Sequence, residues 1–223
     1  MENMYNFNMQ DIVVCDGSNP TLASPNCPFV CQFYQTKESL IDVESYKAFL
    51  DSAISRFRTS ITYKNYKHFL MSLGMDRCQF HGNIVHNEEQ KMATLEMHHN
   101  ILTIFDIAFI ITEHTLNQYG KISTFDLVDL LKKEHTSNHI PLVMLSKTPH
   151  QMNHNNQEFF IHPRMCFGDW YTFLETYKSG ISQEIAFKIL FYLKRATENE
   201  KSNDSELLNI RESILSWAQE NES

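Results

Sequence analysis

The sequence predicts an α+β protein that is predominantly helical, with a small antiparallel β-hairpin plus a helix at its core and several helices wrapped around it. Apolar residues recur every three or four positions through most of the chain, which is the period of an amphipathic helix. Two short segments, 78–82 and 92–98, instead have strand-like patterns joined by a polar linker, which predicts the hairpin. With 223 residues and 42% hydrophobic residues, the chain can bury one sizeable core.

Helix boundaries are marked by capping residues. Gly74 and Gly120 each follow an apolar periodic segment and suit a helix C-terminus. Ser123 supplies a cap and Asp126 an acid in the first turn of the helix that follows. Helices are therefore expected over residues 38–73, 101–118, 123–135, 168–177, 182–195 and 206–219.

The rest of the chain divides into shorter pieces. Residues 1–35 are predicted to form a loop-rich arm with one short strand at 12–14. Residues 142–145 are predicted to form a buried apolar strand. Pro149 suits the first position of a further helix. Three regions are expected: an N-terminal arm with helices (1–75), a core (76–160) and a C-terminal helical region (161–223).

Composition limits the classes of function. The net charge is −8 and the isoelectric point about 5.7, which argues against a wholly basic nucleic-acid-binding surface and leaves room for a protein partner. We expect no membrane span, because no apolar run approaches about 20 residues, and no leader, because no basic segment precedes an apolar one. The odd count of 5 cysteines predicts a reducing, cytoplasmic location, with Cys27 and Cys31 as ordinary buried thiols.

Two histidine clusters carry the candidate chemistry. His98 and His99 end a predicted strand, and His150 and His154 lie four residues apart on a predicted helix. Helical positions four apart share one face, so His150 and His154 can hold one ion from one side. Successive strand side chains point to opposite faces, so one of His98 and His99 can bind the ion while the other acts as a base.

The segment 95–99, the apolar strand 142–145 and the histidines after it resemble the HNH (His-Me finger) endonuclease family. In that family a β-hairpin and a helix frame one divalent cation, so the resemblance implies a ββα-metal-like core over about residues 77–155. It also implies one divalent metal ion (Mg²⁺, Mn²⁺, Zn²⁺ or Ni²⁺) as cofactor and a nucleic acid, DNA in the first instance, as substrate.

The resemblance also assigns roles to individual residues. His99 is the expected general base that activates water, and His98, His150 and His154 are the expected metal ligands. The bound ion would stabilise charge that develops on the phosphate. Residues expected to orient these groups or to contact phosphate are Glu96, Asn100, Asn138, Lys147 and Arg164.

The chain departs from the family pattern in three ways. Pro141 stands where the family usually has an Asn, and Asn138 is the nearest Asn before it. Cys78-x-x-His81 occupies the place of half a structural zinc site, but Ser146 and Pro149 stand where the other half would be, so no four-ligand zinc is expected. The stretch between the two histidine clusters is long, which we interpret as two inserted helices.

Three functions remain open on the sequence alone. The first is a metal-dependent nuclease of the HNH type, a kind common in bacteriophages. The second is a catalytically inactive HNH-like protein that binds nucleic acid or protein as a regulatory or structural component of a phage. The acidic charge and Pro141 favour this second reading. The third is a hydrolase of another phosphate ester that uses the same metal site.

Overall fold

The computed structural model describes residues 34–82, 84, 95–147, 160–199 and 204–220. Within these residues the fold is mostly helical with two small antiparallel sheets, which confirms the predicted class. The helices are α1 (Val43–Thr59), α2 (Ile61–Ser72), α3 (Ile104–Tyr119), α4 (Thr124–Thr136), α5 (Trp170–Thr176), α6 (Gln183–Asn199) and α7 (Ser205–Glu220). The strands are β1 (Tyr34–Gln35), β2 (Leu95–His99), β3 (Ile122–Ser123) and β4 (Leu142–Ser146).

The helix ends follow the capping signals in the sequence. Thr103 and Asp106 form a reciprocal capping box at the start of α3, and Ser123 and Asp126 form another at the start of α4. Gly120 ends α3 in the left-handed conformation, with φ of 72°. The two helices expected between the histidine clusters are therefore present, close to their predicted bounds.

The predicted helical region 38–73 consists of two helices, and the second begins at Ile61, close to Tyr63, where the sequence predicts a new turn of helix. Ser60 has extended backbone angles, so it ends α1 by donating its N–H to Phe57 O at 3.0 Å. Its hydroxyl then accepts from Tyr63 N and caps α2. Because serine is tolerated inside helices, the apolar periodicity did not identify Ser60 as the residue that separates them.

The predicted hairpin between 78–82 and 92–98 is wrong in its pairing. Strand β2 pairs antiparallel with β4 instead, in a register that places Met97 opposite Met144 and His99 opposite Leu142. Gln79 bonds to β4 as well, with its N–H donating to Met144 O at 2.8 Å and its side-chain oxygen accepting from Met144 N at 2.7 Å.

Strand β4 has both of its edges occupied. All five of its residues are buried, so each of its backbone polar groups needs a partner inside the protein. Leu142 exchanges two backbone hydrogen bonds with Phe167, at 2.9 and 2.7 Å. Since antiparallel pairing with β2 uses alternate residues, Leu142 and Met144 are left to bond on the opposite edge. This is why residues 79 and 167 lie against β4.

Helix α3 is the central helix of the core. It buries apolar residues around most of its circumference, as expected of a helix enclosed by others. Gly180 lies directly against it, because a Cβ at this position would contact Ile110 O and lie 2.7 Å from His114 N. Helices α1 and α4 also pack on α3, and α7 packs on α6.

Some predictions fall outside these residues. The expected strand at 12–14 and the helix expected from Pro149 lie outside the described residues. The division of the chain into three regions stays a prediction. Among the described helices, none has the length and apolar character needed to cross a bilayer.

Because Gly180 packs directly on α3, adding one methyl group at this position should destabilise the fold. Gly180→Ala should lower the free energy of unfolding by about 3 kcal/mol, because the new Cβ overlaps the α3 backbone, which cannot move aside cheaply. Denaturant titration followed by circular dichroism measures this. Gly82→Ala is the matched control, since a Cβ there meets nothing within 4 Å. Equal stability of the two variants would contradict the packing described.

Candidate functional site

The two adjacent histidines at the end of β2 are both buried. His98 is 5% exposed and His99 is 9% exposed. His98 lies opposite Val143 and His99 opposite Leu142, so the two rings lie on opposite faces of the sheet, as the strand alternation predicted. Each ring therefore has its own environment.

His99 forms a direct pair with His135 of α4. The two Nε2 atoms lie 2.9 Å apart, and His135 Nδ1 lies 2.7 Å from Leu131 O. A carbonyl oxygen only accepts, so Nδ1 of His135 carries its hydrogen. Nε2 of the neutral His135 ring is then an acceptor, and Nε2–H of His99 donates to it. Both rings are uncharged in this arrangement.

Burial keeps the pair uncharged at neutral pH. It holds the pKa of His99 well below the usual range, and the nearby His135, Arg58 and His98 lower it further. Burial also lowers the pKa of His135 to about 4. A ring with so low a pKa is a weak proton acceptor at neutral pH, which is unfavourable for a general base.

Aromatic side chains from α1 and α2 pack around His135. The Phe57 ring centroid lies 4.5 Å from that of His135, and those of Tyr63 and Tyr66 lie 6.4 and 6.1 Å from it. His135 was not among the residues predicted to form the site. A usable signal was present, because His135 follows Leu127 and Leu131 at four-residue intervals on the apolar stripe of α4.

The expected metal ligands are only partly within the described residues. His98 is described, whereas His150 and His154 lie outside. Among the residues that the structure describes, no group of three or more His, Cys, Asp or Glu side chains is placed to hold a metal ion. Glu96 lies on the same face of β2 as His98, half-buried, opposite Leu145. The four-residue site thus stays a prediction.

Asn100 is committed to hydrogen bonds within the core. Its Nδ2 donates to Ile161 O at 3.2 Å and contacts Cys166 Sγ at 3.1 Å, and its Oδ1 accepts from Tyr192 OH at 2.8 Å. It is 3% exposed. Burial raises the pKa of Cys166 to about 11, which keeps that thiol protonated. These contacts join β2 to α6 and give Asn100 a structural role.

The remaining predicted site residues lie apart from one another. Asn138 forms a left-handed turn after α4, with φ of 59°, and its Oδ1 accepts from Tyr66 OH at 3.0 Å. Lys147 is exposed just beyond β4. The Arg164 guanidinium lies 2.6 Å from Asp204 Oδ1 and 2.8 Å from Glu206 Oε2, so two carboxylates already balance its charge.

A buried carboxylate, that of Glu134, was also not among the predicted site residues. Glu134 is 1% exposed. Its Oε2 lies 2.7 Å from His139 Nδ1, and its Oε1 accepts from Tyr177 OH at 2.9 Å. Burial and this carboxylate together raise the pKa of Tyr177. The network ties the end of α4 to the end of α5, and no spacing in the sequence relates these three residues.

In the Cys78–His81 turn, the sulfur of Cys78 accepts two hydrogen bonds. Ser146 hydroxyl donates to Cys78 Sγ at 3.4 Å, and His81 N–H donates to the same sulfur at 3.4 Å. Ser146 is the residue that stands where zinc-bearing HNH proteins have a ligand. Its hydroxyl contacts the thiol directly, and the expectation that no four-ligand zinc forms here stays a prediction.

Comparison with known proteins identifies the chain as a bacteriophage protein. The family model described as "Bacteriophage G278-like virion protein" matches residues 19–220. Because the match spans most of the sequence, the chain belongs to this family. No curated protein and no solved structure matches it. The phage origin that accompanied the HNH resemblance is supported, and the nuclease activity stays a hypothesis.

The buried histidine pair predicts acid sensitivity. His135 is neutral in the folded chain with a pKa of about 4, whereas unfolded histidine titrates near 6.5. Below pH about 6.5 the unfolded state binds more protons, so the free energy of unfolding falls as pH drops from about 6.5 to about 4. His135 alone should account for a loss of about 3 kcal/mol. Urea titrations at intervals across this range measure it.

A double variant isolates the histidine contribution from that of the carboxylates. His99→Leu combined with His135→Leu removes both partners, which leaves no unpaired polar ring in the core. We expect this variant to lose less stability between pH 7 and pH 4 than the natural chain. Identical pH profiles would mean that the pair does not control the acid response.

Proposed function

We propose that this protein is a structural component of the phage particle that acts through protein–protein contacts, and that the residues around His99 stabilise its core instead of catalysing hydrolysis. The family to which the chain belongs is described as a virion protein, which supports a place in the particle. The proposal corresponds to the inactive HNH-like alternative drawn from the sequence.

The His99–His135 pair is the observation that carries the proposal. A general base must reach a water molecule and accept its proton. The Nε2 of His99 is engaged by His135 at 2.9 Å, and the ring is 9% exposed. Protonation during turnover would place a positive charge among Phe57 and the tyrosines of α2, where an unpaired charge is strongly unfavourable.

The charge distribution points in the same direction. The chain carries a net charge of −8, and a sequence-independent grip on DNA depends on cations facing the phosphates. Arg164, which the sequence analysis proposed as a phosphate contact, is already paired with Asp204 and Glu206. A partner protein with a mixed or basic surface suits this chain better than a polyanion.

A metal-dependent nuclease is the second candidate. The specific observation in its favour is the antiparallel pairing of β2 with β4, which places His98 and His99 on a two-stranded sheet of the kind that the HNH resemblance implies. His98, His150 and His154 would then hold one divalent cation. Catalysis would require His99 to leave His135, and therefore a rearrangement of the core.

A cleavage assay separates the two functions. The purified chain is incubated with supercoiled plasmid or single-stranded DNA in Mg²⁺ or Mn²⁺, and then in EDTA, beside His99→Ala. We expect no metal-dependent cleavage by either protein. His99→Ala should instead lose about 2 to 4 kcal/mol of stability, because it leaves a cavity and an unpaired His135. Metal-dependent nicking by the natural chain that a folded His99→Ala lacks would establish the nuclease.

The place of the chain in the particle is tested separately. We expect quantitative mass spectrometry of gradient-purified phage particles to find the chain at a fixed ratio to the other particle proteins, and nuclease-treated washing to leave that ratio unchanged. Detection in infected cells but not in particles would contradict the structural role, whatever the cleavage assay shows.

A further inference from the structure

The outer face of α6 carries a narrow stripe of two phenylalanines flanked by charges. Its members are Glu184, Phe187, Phe191, Lys194 and Glu198, which we call the α6 stripe. Their spacing alternates between three and four residues, which keeps them on one line along a helix. This is the spacing of a seam that receives a second helix.

The α6 stripe is exposed, while the opposite face of the same helix is part of the core. Phe187 is 59% exposed and Phe191 is 70% exposed, whereas Ile189 and Leu193 are fully buried. The core face alone is enough to hold α6 in the fold. Phe187 and Phe191 are one turn apart, so they lie next to each other on the same side of the helix.

The order of charges along the α6 stripe allows two copies of it to pair favourably when the helices are antiparallel, but not when they are parallel. In an antiparallel pair of α6 helices related by a two-fold axis near residue 189, Phe187 of each copy meets Phe191 of the other. Glu184 of each copy meets Lys194 of the other in the same register. A parallel pair would instead place Glu184 against Glu184 and Lys194 against Lys194, which repel.

We propose that the α6 stripe is a contact between two copies of this chain, packed antiparallel across a two-fold axis. The contact consists of two symmetry-related Phe187–Phe191 layers, with a Glu184–Lys194 ion pair at each end. It is isologous, so it closes as a dimer. This inference does not depend on the proposed function, because an enzyme could dimerise through the same face.

The neighbouring charges are compatible with this contact. Lys188 flanks the α6 stripe near the two-fold axis, where it would approach its own copy, but it is paired with Asp106 of α3 in the same chain. Lys194 lies 3.7 Å from Glu198 along the helix and can also reach Glu184 of the second copy. The seam therefore brings no unpaired like charges together at its centre.

The size of the contact sets its strength. One helix seam with four phenylalanine rings buries less than the roughly 1,200 Å² of a standard stable complex. We therefore expect a weak dimer in solution, with a dissociation constant of tens to hundreds of micromolar, on the order of 10⁻⁴ M. Where other contacts hold two copies close together, their effective concentration rises. Nearly all copies would then be paired through the α6 stripe.

Sedimentation equilibrium of the full chain, over roughly 5 to 500 µM, tests for the dimer. We expect the weight-average mass to rise from monomer towards dimer, and Phe191→Ser to raise the dissociation constant at least about tenfold. Phe125→Ser is the matched control, because that ring is 58% exposed on α4 and outside the α6 stripe. Thermal melts of each variant establish that it is folded.

Charge reversal tests the antiparallel register itself. Glu184→Lys alone, or Lys194→Glu alone, turns both end pairs into like-charge pairs and should weaken the dimer several-fold, on the order of tenfold at low salt. The double variant Glu184→Lys with Lys194→Glu restores opposite charges across the two-fold axis and should recover the natural dissociation constant within about threefold.

Three results would overturn the proposal. The first is a chain that stays monomeric over the whole concentration range, which would leave the α6 stripe to a different protein or to no partner. The second is a dimer that Phe191→Ser does not weaken, which would place the contact elsewhere. The third is a double charge reversal that fails to recover dimerisation although each single reversal weakens it, which would exclude this antiparallel register.

Discussion

The fold depends on one constraint: β4 is buried over its whole length, so every backbone amide and carbonyl of the strand must be satisfied inside the protein. One edge is paired with β2, and the other edge is closed by Gln79 and Phe167. Three segments that are distant in sequence thus bond to the five residues of β4. The turn at Asn138 and the bonds of Asn100 then fix how α4 and α6 lie against this centre.

The same constraint explains why the adjacent histidines are buried. Strand β2 pairs with one edge of the buried β4 and therefore lies inside the protein itself. His98 and His99, on the two faces of β2, are buried for this reason. A buried imidazole needs a hydrogen-bond partner, and α4 provides one in His135. The pair is neutral, and aromatic rings pack around His135, which suits stability near neutral pH and opposes proton transfer. The burial of His99 thus has a structural explanation, while its role as a general base stays a prediction.

Membership of a virion protein family and the exposed α6 stripe fit together without either requiring the other. A particle component meets its neighbours repeatedly, so weak contacts suffice when copies are held close. The exposed Phe187 and Phe191 are unusual against the fully buried Ile189 and Leu193 on the same helix. Both features agree with the proposed role in the phage particle and with the proposed contact between copies.

Helix positions and the fold class could be predicted from the sequence, because capping residues such as Ser123 and Gly120 and the apolar period are local signals that act within a few residues. The new start of helix near Tyr63 was predicted, but the capping role of Ser60 was not, since serine is compatible with both helix and cap positions. Strand pairing, the partner of His99 and the network around Glu134 were decided only by tertiary structure. Each joins residues far apart in sequence, and no local pattern specifies which distant segment will complete a buried edge or a buried ring.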